Sequence, residues 1–181
     1  KFGTFSDLAV YNLGFTIAGI ILVIFTSFQT VYLPFFFKEK DLIKNFYKTR
    51  EIGFKMSAIF IALAVGIFLL VKLLFEINII DMKYGSVLLI LPIMLASQIF
   101  QANIQLFSNF ITYFEVVYVG TLIVFIFSGV NILFNLYLIP KYGITGAAFS
   151  VMLVSLLTFL TYYVYAKYKS KTEAIKIETS K

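Results

Sequence analysis

Between Leu8 and Phe37 the chain carries no charged residue. Roughly 20 residues of helix cross a hydrocarbon core of about 30 Å, so the stretch predicts one membrane crossing near 8–37. Pro34 is expected to mark where that helix bends or stops. Residues 38–55 reverse the pattern. Lys38, Lys40, Lys44, Lys48, Arg50 and Lys55 mix there with Glu39, Asp41 and Glu51, and the segment reads as a solvated basic loop. Met56 to Val71 is apolar again and extends to Phe75, because Lys72 near a helix end can carry its ammonium to the interface. A short polar connection over 76–83 leads to Tyr84–Phe114, free of charge, with Pro92 early enough to kink it. Two further apolar runs follow, separated by Ile139-Pro140-Lys141-Tyr142-Gly143, a tight turn by its proline and glycine. The predicted crossings lie near 8–37, 56–75, 84–110, 116–138 and 142–166. Period-two alternation is absent, so no strand is expected. The fold class is all-α, a polytopic membrane helix bundle of about five transmembrane helices over 1–166, with a basic tail over 167–181.

Composition sharpens this reading. A chain that is 61% hydrophobic and 13% charged has too little polar surface to cover a soluble core. The net charge of +6 does not point to nucleic acid, since the basic residues are segregated along the chain rather than spread over a solvated face. Residues 38–55 and the tail hold eleven of the fifteen Lys and Arg. They lie an even number of crossings apart, and the positive-inside rule places both in the cytoplasm. The chain opens without methionine on an apolar run too long for a signal-peptide core. It is therefore expected to be an internal piece with upstream helices before it. Cysteine and histidine are absent, which removes thiolate and imidazole chemistry and the common zinc sites. No cofactor or metal is expected.

Polar residues inside the apolar runs are the candidates for function. Gln98, Gln101, Gln105, Asn109 and Thr112 fall within a narrow arc at helical spacing. Amides in hydrocarbon need partners, so this row faces other helices or a wet cavity. Interhelical bonding and cavity lining both account for it. A neutral amide surface that donates and accepts suits hydroxyl-rich ligands such as sugars. Ser128, Asn131 and Asn135 form a second row on the fourth crossing. Asn12, Thr16, Gly19, Thr26 and Thr30 share one face of the first, a small-residue stripe of the kind used for close helix contact. Lys72 and Glu115 are the charged candidates, although Lys72 can snorkel and Glu115 can begin or cap a helix in the link. GxSxG, Walker, HExxH and paired-carboxylate patterns are missing, so an enzyme is not expected.

The run NILFNLYLIPKYGITGAAFS, which begins at Asn131, resembles the signature of bacterial Wzx-type polysaccharide flippases of the multidrug/oligosaccharidyl-lipid/polysaccharide exporter superfamily. Asn131, Asn135, Leu138, Ile139, Pro140, Tyr142, Gly143, Gly146, Ala147 and Ala148 match its pattern. Asp7–Tyr11 and Tyr32–Phe35 are similar to a helix of that family's second half. The resemblance implies two six-helix lobes around a cavity that opens alternately to either side. This chain would supply the last five helices of the second lobe, its partner being the N-terminal lobe of the same protein. The implied activity is flipping of an undecaprenyl-pyrophosphate-linked sugar repeat across the bacterial plasma membrane, with no covalent chemistry and a cytoplasmic C-terminus. Candidate substrate-path residues are then Gln98, Gln101, Gln105, Asn109, Asn131 and Asn135, and Pro140, Tyr142, Gly143 and Gly146 form the motif turn. The family's cavities hold basic residues suited to a pyrophosphate, and within the predicted crossings only Lys72 offers one. Rival expectations are a related exporter of drug-like cations or of the peptidoglycan lipid precursor, a membrane enzyme of glycan assembly, and a non-transporting membrane scaffold.

Overall fold

A computed structural model describes residues 5–179, with side chains to residue 176. Among them there is no strand, and four helical stretches are long and apolar enough to cross a membrane. α1 (Phe5–Ala18) and α2 (Ile20–Lys38) meet at Gly19. The helical hydrogen bonds continue across it, from Gly19 N–H to Phe15 O and from Val23 N–H to Gly19 O. They therefore form one rod. Pro34 does not end it, and the helix runs a further turn to Lys38.

α3 (Leu42–Glu76) corrects the expected loop. Only Glu39 to Asp41 connects it to α2, and residues 42–55 are helix. Asp41 caps the first turn by accepting from the Lys44 N–H at 2.9 Å. Leu42, Asn45, Phe46, Thr49 and Gly53 then recur on one buried face at helical spacing. The charges that suggested a loop occupy the other face, where Lys55 bonds Glu51 one turn away at 2.6 Å.

α4 (Val87–Tyr113) is the centre of the bundle and has the most continuous set of buried residues. A 3₁₀ turn (Met82–Tyr84) leads into it. Both α3 and α4 end in Schellman motifs. The N–H groups of Asn78 and Ile79 bond Phe75 O and Leu74 O, and those of Glu115 and Val116 bond Thr112 O and Ile111 O. Each motif puts its first residue past the cap at positive φ, 56° for Asn78 and 57° for Glu115.

α5 (Val117–Thr179) doubles back at Gly143, where φ is 57° and ψ −134°. A Cβ placed on Gly146 would meet the Leu138 carbonyl oxygen, and one on Gly120 would lie 3.6 Å from the Tyr162 hydroxyl. Residues 117–142 and 144–179 therefore form two antiparallel limbs, each long enough to span a bilayer. The second limb stays helical through the stretch expected as a tail. The chain is an all-α, membrane-embedded bundle in which the α1–α2 rod, α3, α4 and the two limbs make five passes.

Pair contacts fix the mutual level of the helices. Gly14 packs on Ile90 and Met94, Phe25 on Phe60, and Phe36 on Phe110 and Tyr113. Phe46 meets Phe107, Phe110 and Tyr163, and Lys169 lies over the Phe114 ring. One end of the bundle therefore gathers Lys38 to Lys55 and Lys167 to Lys176, along with a dense aromatic layer.

Candidate functional site

The amide row of α4 points into the bundle. Gln98 is 2% exposed and its Oε1 lacks a partner among the described residues. Gln101 donates to Ser155 Oγ on the second limb of α5 at 3.3 Å. Gln29 of α2 donates to Asn109 Oδ1 at 3.2 Å and to the Gln105 backbone oxygen at 3.4 Å. Gln29 Oε1 and Asn109 Nδ2 stay unsatisfied. Three members of the row thus tie α4 to its neighbours. Gln29, the residue that meets two of them, was not singled out in the sequence. It is the one carboxamide of α2, and that isolation was the available signal. Thr112, at the end of the row, is exposed and borders a smaller pocket of about 330 Å³ with Ser108, Thr121 and Tyr162.

Asn131 and Asn135 bond each other, Asn135 donating to Asn131 Oδ1 at 2.9 Å on the half-buried side of the first limb. Pro140, Tyr142 and Gly143 are exposed at the reversal, and Gly146 is buried against the opposite limb. Lys72 and Glu115 stand apart from these groups. Lys72 is exposed and 3.8 Å from Glu76, and Glu115 is exposed in the link, where its backbone serves the helix end.

The small-residue stripe of the first crossing does not make the helix contact expected of it. The buried face of the α1–α2 rod is Val10, Gly14, Ala18, Ile21, Phe25, Tyr32 and Phe36. Asn12, Thr16, Thr26 and Thr30 are exposed on the other side. Periodicity grouped the stripe correctly and could not say which side the core would take. Thr26 and Thr30 bond the carbonyls of Val23 and Thr26, each at 2.9 Å. Asn12 has no hydrogen bond within the described residues.

Across α4 from the amide row lies a groove of about 880 Å³ between α3, α4 and the second limb. Its walls include Phe54, Ile61, Phe100, Phe159 and Leu160, and its polar positions are Arg50, Glu51, Lys55, Ser57 and Asn103. Asn103 donates to Ser57 Oγ at 2.8 Å and to Ile99 O at 2.9 Å, pinning α3 to α4 at the floor. Arg50 and Lys55 were assigned to a loop, and their presence here follows from the extra turns of α3. Comparison with family models, curated proteins and solved structures finds no match for this chain.

Proposed function

We propose that this chain belongs to a membrane transporter that flips a lipid-linked oligosaccharide, an undecaprenyl-pyrophosphate repeat unit, from the cytoplasmic to the outer leaflet of a bacterial plasma membrane. The observation that carries the reading is the outward polar face of α1–α2. Thr26 and Thr30 satisfy their hydroxyls on their own helix, but lipid offers Asn12 and Thr16 no hydrogen-bond partner, so a face bearing them, turned away from its own bundle, suits a wet path or a second lobe. The resemblance around Asn131–Ala148 implies both, because a two-lobed flippase carries its substrate between lobes. Also in support, the motif residues form a tight reversal with glycine where a side chain would not fit. The basic end then faces the cytoplasm, and the partner of the polar face is an N-terminal lobe.

In this proposal the hydroxyls and the Asn12 amide border the sugar path, while Gln101, Gln105 and Asn109 hold α4 in place behind them. No covalent step is involved. A non-transporting scaffold is the second reading, favoured by the amide row being engaged between helices. The experiment is genetic. Cells lacking the parent protein are expected to lose surface polysaccharide and to accumulate the lipid-linked unit inside. Unchanged surface glycan with no accumulation would favour the scaffold and end the transport reading.

A further inference from the structure

The groove opposite the amide row holds one cation that the bundle does not neutralise. Lys55 is ion-paired with Glu51, whereas no carboxylate among the described residues lies within ion-pair distance of Arg50. The depth of Arg50 follows from its neighbours. Phe46, one turn before it, touches Phe107 and Phe110, and a Cβ on Gly53, one turn after it, would meet Asn103 and Leu106. Arg50 is therefore level with Phe107, about 9 Å inward of the end of α4 at a 1.5 Å rise per residue. Tyr47 and Tyr163 line the groove at the same height, and tyrosine favours the membrane–water boundary. From that level the groove runs deeper along Ile61, Ile99 and Phe100 on α3 and α4.

We propose that this groove binds one anionic phospholipid from the leaflet at the basic end. An acyl chain lies along the Ile61, Phe100 and Leu160 wall, and the phosphate sits at the Arg50 guanidinium. Charge complementarity decides the occupant. A guanidinium offers a planar pair of donors that matches a phosphate, and Arg50 can carry its head outward to the phosphate plane while its stem stays in the apolar layer. An apolar helix in the same place would leave the cation without a partner. A zwitterionic headgroup brings a quaternary ammonium beside the same phosphate, so the Arg50 charge favours a net anionic headgroup over a zwitterionic one. This inference needs only the membrane placement of the bundle and is independent of the transport proposal.

The test is native mass spectrometry of the full chain released from detergent with phosphatidylglycerol or phosphatidylcholine present. One bound phosphatidylglycerol is expected, with about a tenfold preference over phosphatidylcholine, the scale of one unit of headgroup charge felt by a partly exposed cation. Arg50→Gln should bring the two lipids to parity and Arg50→Lys should keep part of the preference, with helix content unchanged because Arg50 is exposed. Leu160→Trp, which fills the groove, should lower retention of both lipids. Equal retention by the wild type, or a preference that survives Arg50→Gln, overturns the proposal. So does displacement by inorganic phosphate alone, or stronger retention of a polyprenyl pyrophosphate, which would assign the groove to transported substrate. A lipid-free dimer would assign it to a second copy.

Discussion

Gly146 packs directly on the backbone of the opposite limb of α5, and its replacement tests the hairpin directly. A Cβ there would lie 2.7 Å from the Leu138 carbonyl carbon and 3.1 Å from the Ile139 nitrogen. These are backbone atoms with no rotamer to yield, so Gly146→Ala must push the limbs apart by something near 1 Å. Because backbone cannot rotate away, the cost falls at the upper end of the range for forced overpacking, about 2–3 kcal/mol, against a helix-propensity gain of about 1 kcal/mol for replacing glycine by alanine. The net is a destabilisation of about 1–2 kcal/mol, which at roughly 2–4 °C per kcal/mol for a chain of this size lowers the apparent Tm by about 2–8 °C. Gly146→Val should fall further. Gly66→Ala and Gly129→Ala are the controls, since nothing lies within 4 Å of a Cβ at either position, and they should hold or gain stability. The assay is loss of helical circular dichroism on heating in detergent. A Gly146→Ala protein as stable as the wild type, or a Gly66→Ala protein that falls equally, would refute the close approach of the limbs.

Gly143 holds φ 57° and ψ −134° in open space, a conformation that glycine alone adopts readily, so Gly143→Ala should cost about 1–3 kcal/mol by strain without any clash, read in the same melt. Asn109→Leu removes the nearer of the two acceptors of the Gln29 amide and leaves it the Gln105 carbonyl at 3.4 Å, at a cost of about 1 kcal/mol. The Gln29→Leu/Asn109→Leu pair should recover most of it, and purely additive losses in that double-mutant cycle would deny the contact. Glu115→Gly should raise the apparent Tm by up to about 1 kcal/mol equivalent, because it removes a side chain from a positive-φ position, and unaltered export would show that the carboxylate carries no function. The Lys44 hydrogen bond, with the Asp41 N–H and the charges of Lys44 and Lys48, holds the half-buried Glu39 carboxyl below its usual range. Its folded pKa is depressed, so its small stabilising effect is complete above the ordinary glutamate pKa and fades as pH falls below it. Glu39→Gln should abolish that acid-side slope in a pH series of melts. In the cysteine-free chain, single cysteines at 12, 16 and 30 should react in membranes with a water-soluble maleimide, and one at Leu133 should not.

Apolar runs free of charge made the membrane bundle readable, because a chain with so little polar surface has few other ways to satisfy its backbone. The reversal at 139–143 was equally plain, since proline and glycine act locally. The first half of α3 was hidden by its own charges. The spacing of Leu42, Phe46, Thr49 and Gly53 was present, but a high local density of lysine outweighed it. The α4 amide row was legible as a row, whereas its partners Gln29 and Ser155 lie on other helices at long separation, which no single-helix pattern encodes. The same limit applied to Asn12, Thr16, Thr26 and Thr30, whose common face is a property of one helix and whose outward direction is a property of the bundle. The groove was invisible for that reason too, being assembled from three elements with Arg50 at its edge.

The most direct measurement reconstitutes the full parent protein into liposomes that contain a labelled lipid-linked oligosaccharide, and follows how much of the label an added lectin can reach. Incorporation of the protein is expected to raise the accessible fraction with time. The variant with Asn12 replaced by leucine and Thr16, Thr26 and Thr30 by valine should stay near the protein-free level while keeping its helix content. If the wild-type protein leaves the accessible fraction where protein-free liposomes do, the flippase account is wrong; if the variant flips as fast as the wild type, the path does not run along α1 and α2.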